Sequence, residues 1–297
     1  MKKLAFIMPV LSGIMWGSAG LFVRQLGEIG MNSYTIVSTR VVAAVVILWI
    51  GISLLDRSLF RIKIRELWIF IAGGIVGMFG LNLCYNEAIE QLTLSLAAVL
   101  LSLSPIFVLF LAAILFREKI TWKKTVCMCM ALAGCILASG VLETSSGMKW
   151  TAAGILIGGA GAFFYGLYSI FTKIAMGKGY HALTITFYCL VMVMLVLLPL
   201  TDWKGVGIAV SEGGGRFVLF MLLHSLCTSV LPYVLYTVSL EYVEAGKASI
   251  LAAGEPVAAM VFGAVFYSEI PTALSLIGLV LTIVALTLMS MPDRETS

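Results

Sequence analysis

Long apolar runs separated by short polar breaks fill the chain. They fall near residues 4–23, 33–55, 67–88, 92–116, 122–141, 150–171, 183–201, 216–238, 246–267 and 272–291. A helix of about 20 apolar residues is what crosses a hydrocarbon layer of ~30 Å. Hydrocarbon offers the backbone no other hydrogen-bond partner, so continuous helices are expected. The pattern therefore predicts an all-α integral membrane protein of ten transmembrane helices. The third and fourth runs are joined by very little and predict a tight hairpin.

Composition agrees with this pattern. The 297 residues are 61% hydrophobic and 11% charged, with a mean hydropathy of +1.08, where a soluble domain carries about 25% charge. That excludes an ordinary globular enzyme, a disordered chain and a secreted disulfide scaffold. The six cysteines all lie in apolar stretches without CxxC or zinc-like spacing and read as small packing residues. The placement of charge says more than the net value of +4. With a cytoplasmic N-terminus, fourteen of the nineteen Lys and Arg fall in inside segments and four outside (Arg24, Lys149, Lys204 and Arg216), while Arg40 lies within a span. This is a positive-inside bias, and it places both termini in the cytoplasm and the chain in the cytoplasmic membrane. Trp68, Trp122, Trp150 and Trp203 fall at span ends, where an amphipathic ring suits the interface. Lys2-Lys3, an apolar run and Ser18-Ala19-Gly20 also have the outline of a cleaved leader. The internal repeat argues for keeping that span.

Residues 81–121 and 232–272 align without a gap at an offset of 151. Tyr85 meets Tyr236, Glu90 meets Glu241, Pro105 meets Pro256, Glu118 meets Glu269 and Thr121 meets Thr272. Upstream the offset is 149, where Gly17 meets Gly166, Arg24 meets Lys173 and Gly30 meets Gly179. Residues 1–145 and 146–297 thus read as two copies of a five-span unit. Five is odd, so the second copy enters the membrane from the opposite side. Inverted repeats of this kind recur in secondary transporters, with the substrate site between the halves near the midplane. A duplication kept only for packing is the alternative.

Trp16-Gly17, Ser104-Pro105 with Phe116-Arg117-Glu118-Lys119, and Glu255-Pro256-Val257 with Tyr267-Ser268-Glu269 carry a resemblance. The chain resembles the EamA-type transporters of the drug/metabolite transporter superfamily over essentially its whole length. The resemblance implies a cytoplasmic-membrane carrier, usually an exporter of amino acids, other metabolites or drugs. It implies that spans one, three, four, six, eight and nine line a central cavity. Spans five and ten are implied to be peripheral, with dimer contacts in relatives, which leaves a homodimer open here.

Glu255 is the sharpest candidate for chemistry. It is the tenth residue of its predicted span and directly precedes Pro256, which tends to open or kink the helix. A charged acid at mid-depth costs ~2.5–3.5 kcal/mol on insertion scales, so proton exchange there is a candidate coupling step. A glutamate that only holds helices together is the alternative. Its counterpart Ser104 does not titrate, which favours a single coupling site. Arg40 is expected to gate or to brace the fold, with pairing to Glu255 or Glu87 and substrate contact left open. Pro105 and Pro256 are assigned structural or gating roles. The expected substrate-binding set is Trp16, Asn82, Tyr85, Asn86, Ser104, Tyr165, Tyr168, Tyr233, Tyr236 and Glu255, of which several fall three or four apart on one helix face; Ser102 and Ser229 are weaker members. Ordinary interhelical packing explains such stripes equally well. His224 is a candidate relay, with a hydrogen-bonded packing role as the plainer reading. Gly13-xxx-Gly17, Gly73-xxx-Gly77 and Gly154-xxx-Gly158 allow close helix contact, for rocking or for static packing.

Ser211-Glu212-Gly213-Gly214-Gly215 is expected to be a flexible outer loop, and no GxxxxGK[ST] occurs. Neither HExxH nor an intramembrane aspartate pair is found, which counts against a membrane-embedded enzyme. No cofactor, metal or nucleic-acid partner is expected; the inner basic loops read most simply as topology signals meeting anionic lipid. The expected partners are a small-molecule substrate, the lipid bilayer and protons. An uncoupled facilitator, or a multidrug or cation exporter, would use the same scaffold.

Overall fold

The apolar runs fold as helices, and no strand occurs among the described residues. The computed structural model describes residues 2–92, 94–142, 151–268 and 270–291, without the side chains of residues 2–4, 94 and 95. Lys149, Trp150, Glu269, Arg294 and the expected boundary between residues 145 and 146 lie outside the described residues.

Among those described, nine helices are long and apolar enough to cross a membrane. They are α1 (Ala5–Glu28), α2 (Ser33–Leu55), α3 (Ile64–Gln91) and α4 (Leu96–Phe116) in the first part of the chain. In the second part they are α6 (Ala152–Gly177), α7 (Ala182–Leu200), α8 (Trp203–Tyr242), α9 (Ala245–Tyr267) and α10 (Ala273–Ser290). The remaining helix, α5 (Trp122–Ala138), has 17 residues, about 26 Å of rise against a ~30 Å core. It occupies the place of the fifth expected span and packs along α10. The structure is thus a multi-pass membrane protein, helical throughout its regular elements among the described residues.

The expectation of continuous helices fails at three places. α4 consists of two half-helices, Leu94–Leu101 and Ser104–Phe116, and α9 likewise of Ala245–Ala252 and Glu255–Tyr267. Proline explains both breaks. Its ring clashes with the carbonyl four residues back, and four residues before Pro105 and Pro256 stand Leu101 and Ala252, where the upstream pieces end. α1 is also broken, between Lys2–Gly17 and Ala19–Glu28. A second correction concerns residues 211–215. They are not a loop: Trp203–Ser225 is helical apart from Gly214, at φ 55° and ψ −145°. Only glycine adopts that conformation freely. Forty residues of helix would span ~60 Å, so the kink divides an arm outside the hydrocarbon from the crossing part of α8.

The sequence repeat is written into the backbone. Gly80–Gln91 and Leu231–Tyr242, Leu94–Leu101 and Ala245–Ala252, and Ser104–Phe116 and Glu255–Tyr267 all begin and end 151 residues apart. The only non-glycine residues with positive φ, among those described, are Arg117 and Ser268 at 56° and 55°, again 151 apart. Thr121 and Thr272 both cap the following helix through the side-chain oxygen. Wider π-type turns occur at Ala72–Phe79 in α3 and Leu226–Val230 in α8.

Glycine lets the copies meet. A Cβ on Gly17 would stand 2.6 Å from the Glu255 carbonyl oxygen and 2.7 Å from Ala258 Cβ. Gly13 presses on Ala252 in the same way, while Gly154 and Gly158 seat α6 against Leu92 and Leu100. Gly73 and Gly77 meet Cys189 and Tyr168, so all three small-residue pairs lie on contacts between the copies. Overpacking of this kind costs about 1–3 kcal/mol. Gly17→Leu should accordingly melt several degrees below the parent in detergent, whereas Gly20→Leu, with nothing within 4 Å of an added Cβ, should melt with it. Thermal unfolding of the two purified variants checks this.

Candidate functional site

The break in α9 leaves Glu255 as the first residue of a half-helix, where the helix dipole favours negative charge. Because Gly17 lies on the Glu255 backbone, the preceding Trp16 is carried to the same level. Trp16 is surrounded by tyrosines from α6 and α8, with ring centroids 6.0 Å from Tyr165, 5.2 Å from Tyr233 and 5.7 Å from Tyr236. Its indole Nε1 is buried without a hydrogen-bond partner, as is the Ser229 hydroxyl one turn before Tyr233.

Glu255 is only partly buried, and its carboxyl makes no hydrogen bond or ion pair among the described residues. It lies within electrostatic reach of Tyr85 on α3, Tyr165 on α6, Tyr233 on α8, Cys135 on α5 and Arg40 on α2. Groups on five helices therefore lie within range of one acid.

The remaining expected residues divide. Asn82, Tyr85 and Asn86 are partly exposed on α3, and Asn82 Nδ2 donates to the Met78 carbonyl at 2.7 Å. Ser104 and Pro105 are buried at the α4 break, the counterpart of Glu255-Pro256. Tyr168 and Tyr236 are fully buried. Their hydroxyls are satisfied by Thr237 at 3.4 Å and Ser169 at 2.9 Å, and Trp16 and Tyr233 are buried beside them in this conformation. Ser102 turns back to the Val99 carbonyl at 2.7 Å.

Arg40 is the member that helical spacing could not place. Its Nε is buried without a partner, while the residue as a whole keeps partial exposure. It makes no direct ion pair with Glu255 among the described residues, although the two charges interact. Beside it stands His224, wholly buried and stacked on Phe22 at 4.9 Å, with neither ring nitrogen hydrogen-bonded. The expected hydrogen-bonded packing histidine is thus a stacked one. Ser225 Oγ donates to the Arg40 carbonyl at 2.8 Å and fixes α2 against α8. Cys135, read from sequence as packing, has its thiol 3.0 Å from the Ala253 carbonyl in the α9 break. Nothing in its local sequence marks that position.

Polar clamps tie the helix ends. At the end that carries the basic loops, Glu118 accepts from the amides of Ala245 at 2.8 Å and Gly246 at 3.2 Å, and pairs with Lys173 at 3.4 Å. Lys173 also donates to the Val243 carbonyl at 3.2 Å. Buried Lys124 pairs with Glu244 and donates to the Lys119 carbonyl at 2.8 Å. Some of the basic residues read as topology signals therefore hold the two copies together. At the same end Tyr180 donates to Glu66 and accepts from the Lys63 amide at 3.0 Å; burial first, and then the bond to Glu66, raise its phenol above the ordinary value. At the opposite end the Asp202 amide donates to Thr35 Oγ1 at 3.0 Å, and Arg24 lies 4.3 Å from the Tyr267 ring centroid. Each contact joins segments that the alternating topology assigns to one side.

Two copies of one helical unit, a broken helix in each and a polar centre between them define a membrane transporter class. The EamA-like transporter family model matches residues 3–140 and again 152–291, and the chain belongs to that family. It is 28% identical over 276 residues to an uncharacterized transporter of Archaeoglobus fulgidus, covering 91% of each chain. It is 25% identical to a probable terminal-alkyne amino-acid exporter of Streptantibioticus cattleyicolor, covering 91% of this chain and 87% of that one. A protein crystal structure superimposes with a TM-score of 0.77 over 96% of this chain and 95% of the other at 15% identity, which shows the fold alone.

Hydrogen bonds to a charged group contribute ~1.5–3 kcal/mol each. Glu118→Ala strands two amides and leaves Lys173 only the Val243 carbonyl, whereas Lys173→Ala leaves Glu118 its two amide bonds. Melting in detergent should therefore show the larger loss, a few kcal/mol, for Glu118→Ala.

Proposed function

We propose that this chain is a secondary transporter that exports a small amphipathic metabolite bearing an amine, such as an amino acid, by alternating access. Residues 1–145 and 146–297 are its two inverted halves in the cytoplasmic membrane, with both termini cytoplasmic. The observation that carries the reading is the Glu255 carboxyl. It stands unpartnered at a helix break, beside an aromatic wall and on the seam between the copies. An acid so placed serves an amine and serves a proton, and exchanging one for the other couples export to the inward proton gradient. The groups within electrostatic range of it are Arg40, Tyr85, Tyr165, Tyr233 and Cys135.

The Glu118 and Lys124 clamps are the contacts that must part when the basic end opens. The Archaeoglobus and Streptantibioticus relatives, named as a transporter and as an amino-acid exporter, support the class. An uncoupled facilitator is the second reading, and the same acid separates the two. In proteoliposomes, efflux by the parent should rise when the receiving side is acidified, and Glu255→Gln should abolish that dependence while the protein remains folded. Undiminished pH dependence in Glu255→Gln removes the coupling role from this residue.

A further inference from the structure

Arg40, partly exposed as a whole, differs from Lys124 and Lys173. Lys124 and Lys173 satisfy carbonyls and carboxylates. The Arg40 guanidinium donates to no protein group among the described residues, and its Nε is sealed from solvent. A guanidinium held without an acceptor inside a membrane protein is costly, so the fold keeps it there for something. Around it the same pattern repeats: the Trp16 indole N–H and the Ser229 hydroxyl are buried and unpartnered, and both stand by Tyr233, whose ring is 5.2 Å from Trp16 and whose phenol feels the Arg40 charge. Within electrostatic range of Arg40 and Tyr233 is the Glu255 carboxyl, which has no hydrogen-bond or ion-pair partner among the described residues. The centre thus offers a planar cation with free donors and, separately, a free carboxylate, which do not neutralise each other by direct contact.

We propose that Arg40 is the receptor for a carboxylate of the transported molecule, so that Arg40 and Glu255 hold the two ends of a zwitterion while the Trp16–Tyr165–Tyr233 wall takes its apolar part. A guanidinium presents paired N–H groups that match both oxygens of a carboxylate. This rests on the transporter reading above and adds to it that an amine alone is a poor ligand. Arg40 would then set specificity as well as brace α2.

The test is ligand binding by purified protein in detergent, which does not depend on flux or coupling. Its probes are two matched pairs: L-phenylalanine with phenethylamine, and L-leucine with isoamylamine. The parent should bind the carboxylate-bearing member of a pair about tenfold or more tightly. Arg40→Gln should bring the two members of that pair together by weakening the acid-bearing one and leaving the bare amine. Arg40→Lys, which keeps the charge without the planar fork, should fall between and serves if Arg40→Gln does not fold. Equal affinity for both members of each pair in the parent overturns the proposal. So does an unchanged preference in the Arg40 variants, or an equal loss for acid and amine, which is what a purely structural arginine produces. If Glu255→Gln keeps its pH-dependent efflux but the Arg40 ratio collapses as described, the coupling reading fails and this one stands.

Discussion

A polar group taken into hydrocarbon must find a partner or fail to stay there. The structure follows from how this chain meets that constraint. Most of its backbone is satisfied within helices. The proline breaks in α4 and α9 are two of the places where it is not, and they are sheltered against α1, α5 and α6. Proline makes the breaks, and glycine makes the shelter possible. Gly13 and Gly17 let α1 lie against α9 closely enough that the exposed backbone of the break is covered by another helix. Trp16 and Glu255 become neighbours as a consequence of that packing.

Much of this architecture was legible in the sequence. The repeat offset of 151 predicted matched elements, and three pairs of helical segments share both boundaries at that offset. Pro256 predicted a disturbed helix beside Glu255, because the missing N–H and the ring clash are local properties. The break in α1 near Ser18 was not legible: no proline stands there, and α6, its counterpart, is unbroken. The 211–215 glycines were misread for a related reason. Composition records a weak helix former but not the surface on which an arm lies, and one glycine at φ 55° absorbs the whole change of direction.

The site was legible only in part. Residues three or four apart on one helix share a face, and that rule pairs Tyr165 with Tyr168 and Tyr233 with Tyr236; grouping them with Trp16 rests on the spans that the resemblance implies to line a cavity. The rule could not say that Tyr168 and Tyr236 spend their hydroxyls on Thr237 and Ser169 respectively, which depends on how α6 and α8 are rotated against each other. Nor could spacing place Arg40, Cys135 or His224, whose meaning lies in contacts between distant segments. The clamp at Glu118 belongs to the same class. Its partners are 127 and 128 residues away in sequence, and the repeat match to Glu269 marks the residue without naming them.

All of these readings need Glu255 to face an interior that water and solutes reach. Cysteine reactivity measures that directly. With the six native cysteines replaced, a single thiol introduced by Glu255→Cys should react in membranes with a small, charged methanethiosulfonate reagent, while a thiol introduced by Val265→Cys, on the 69% exposed outer flank of the same helix, should resist it. A silent position 255 beside a reactive position 265 would contradict the account.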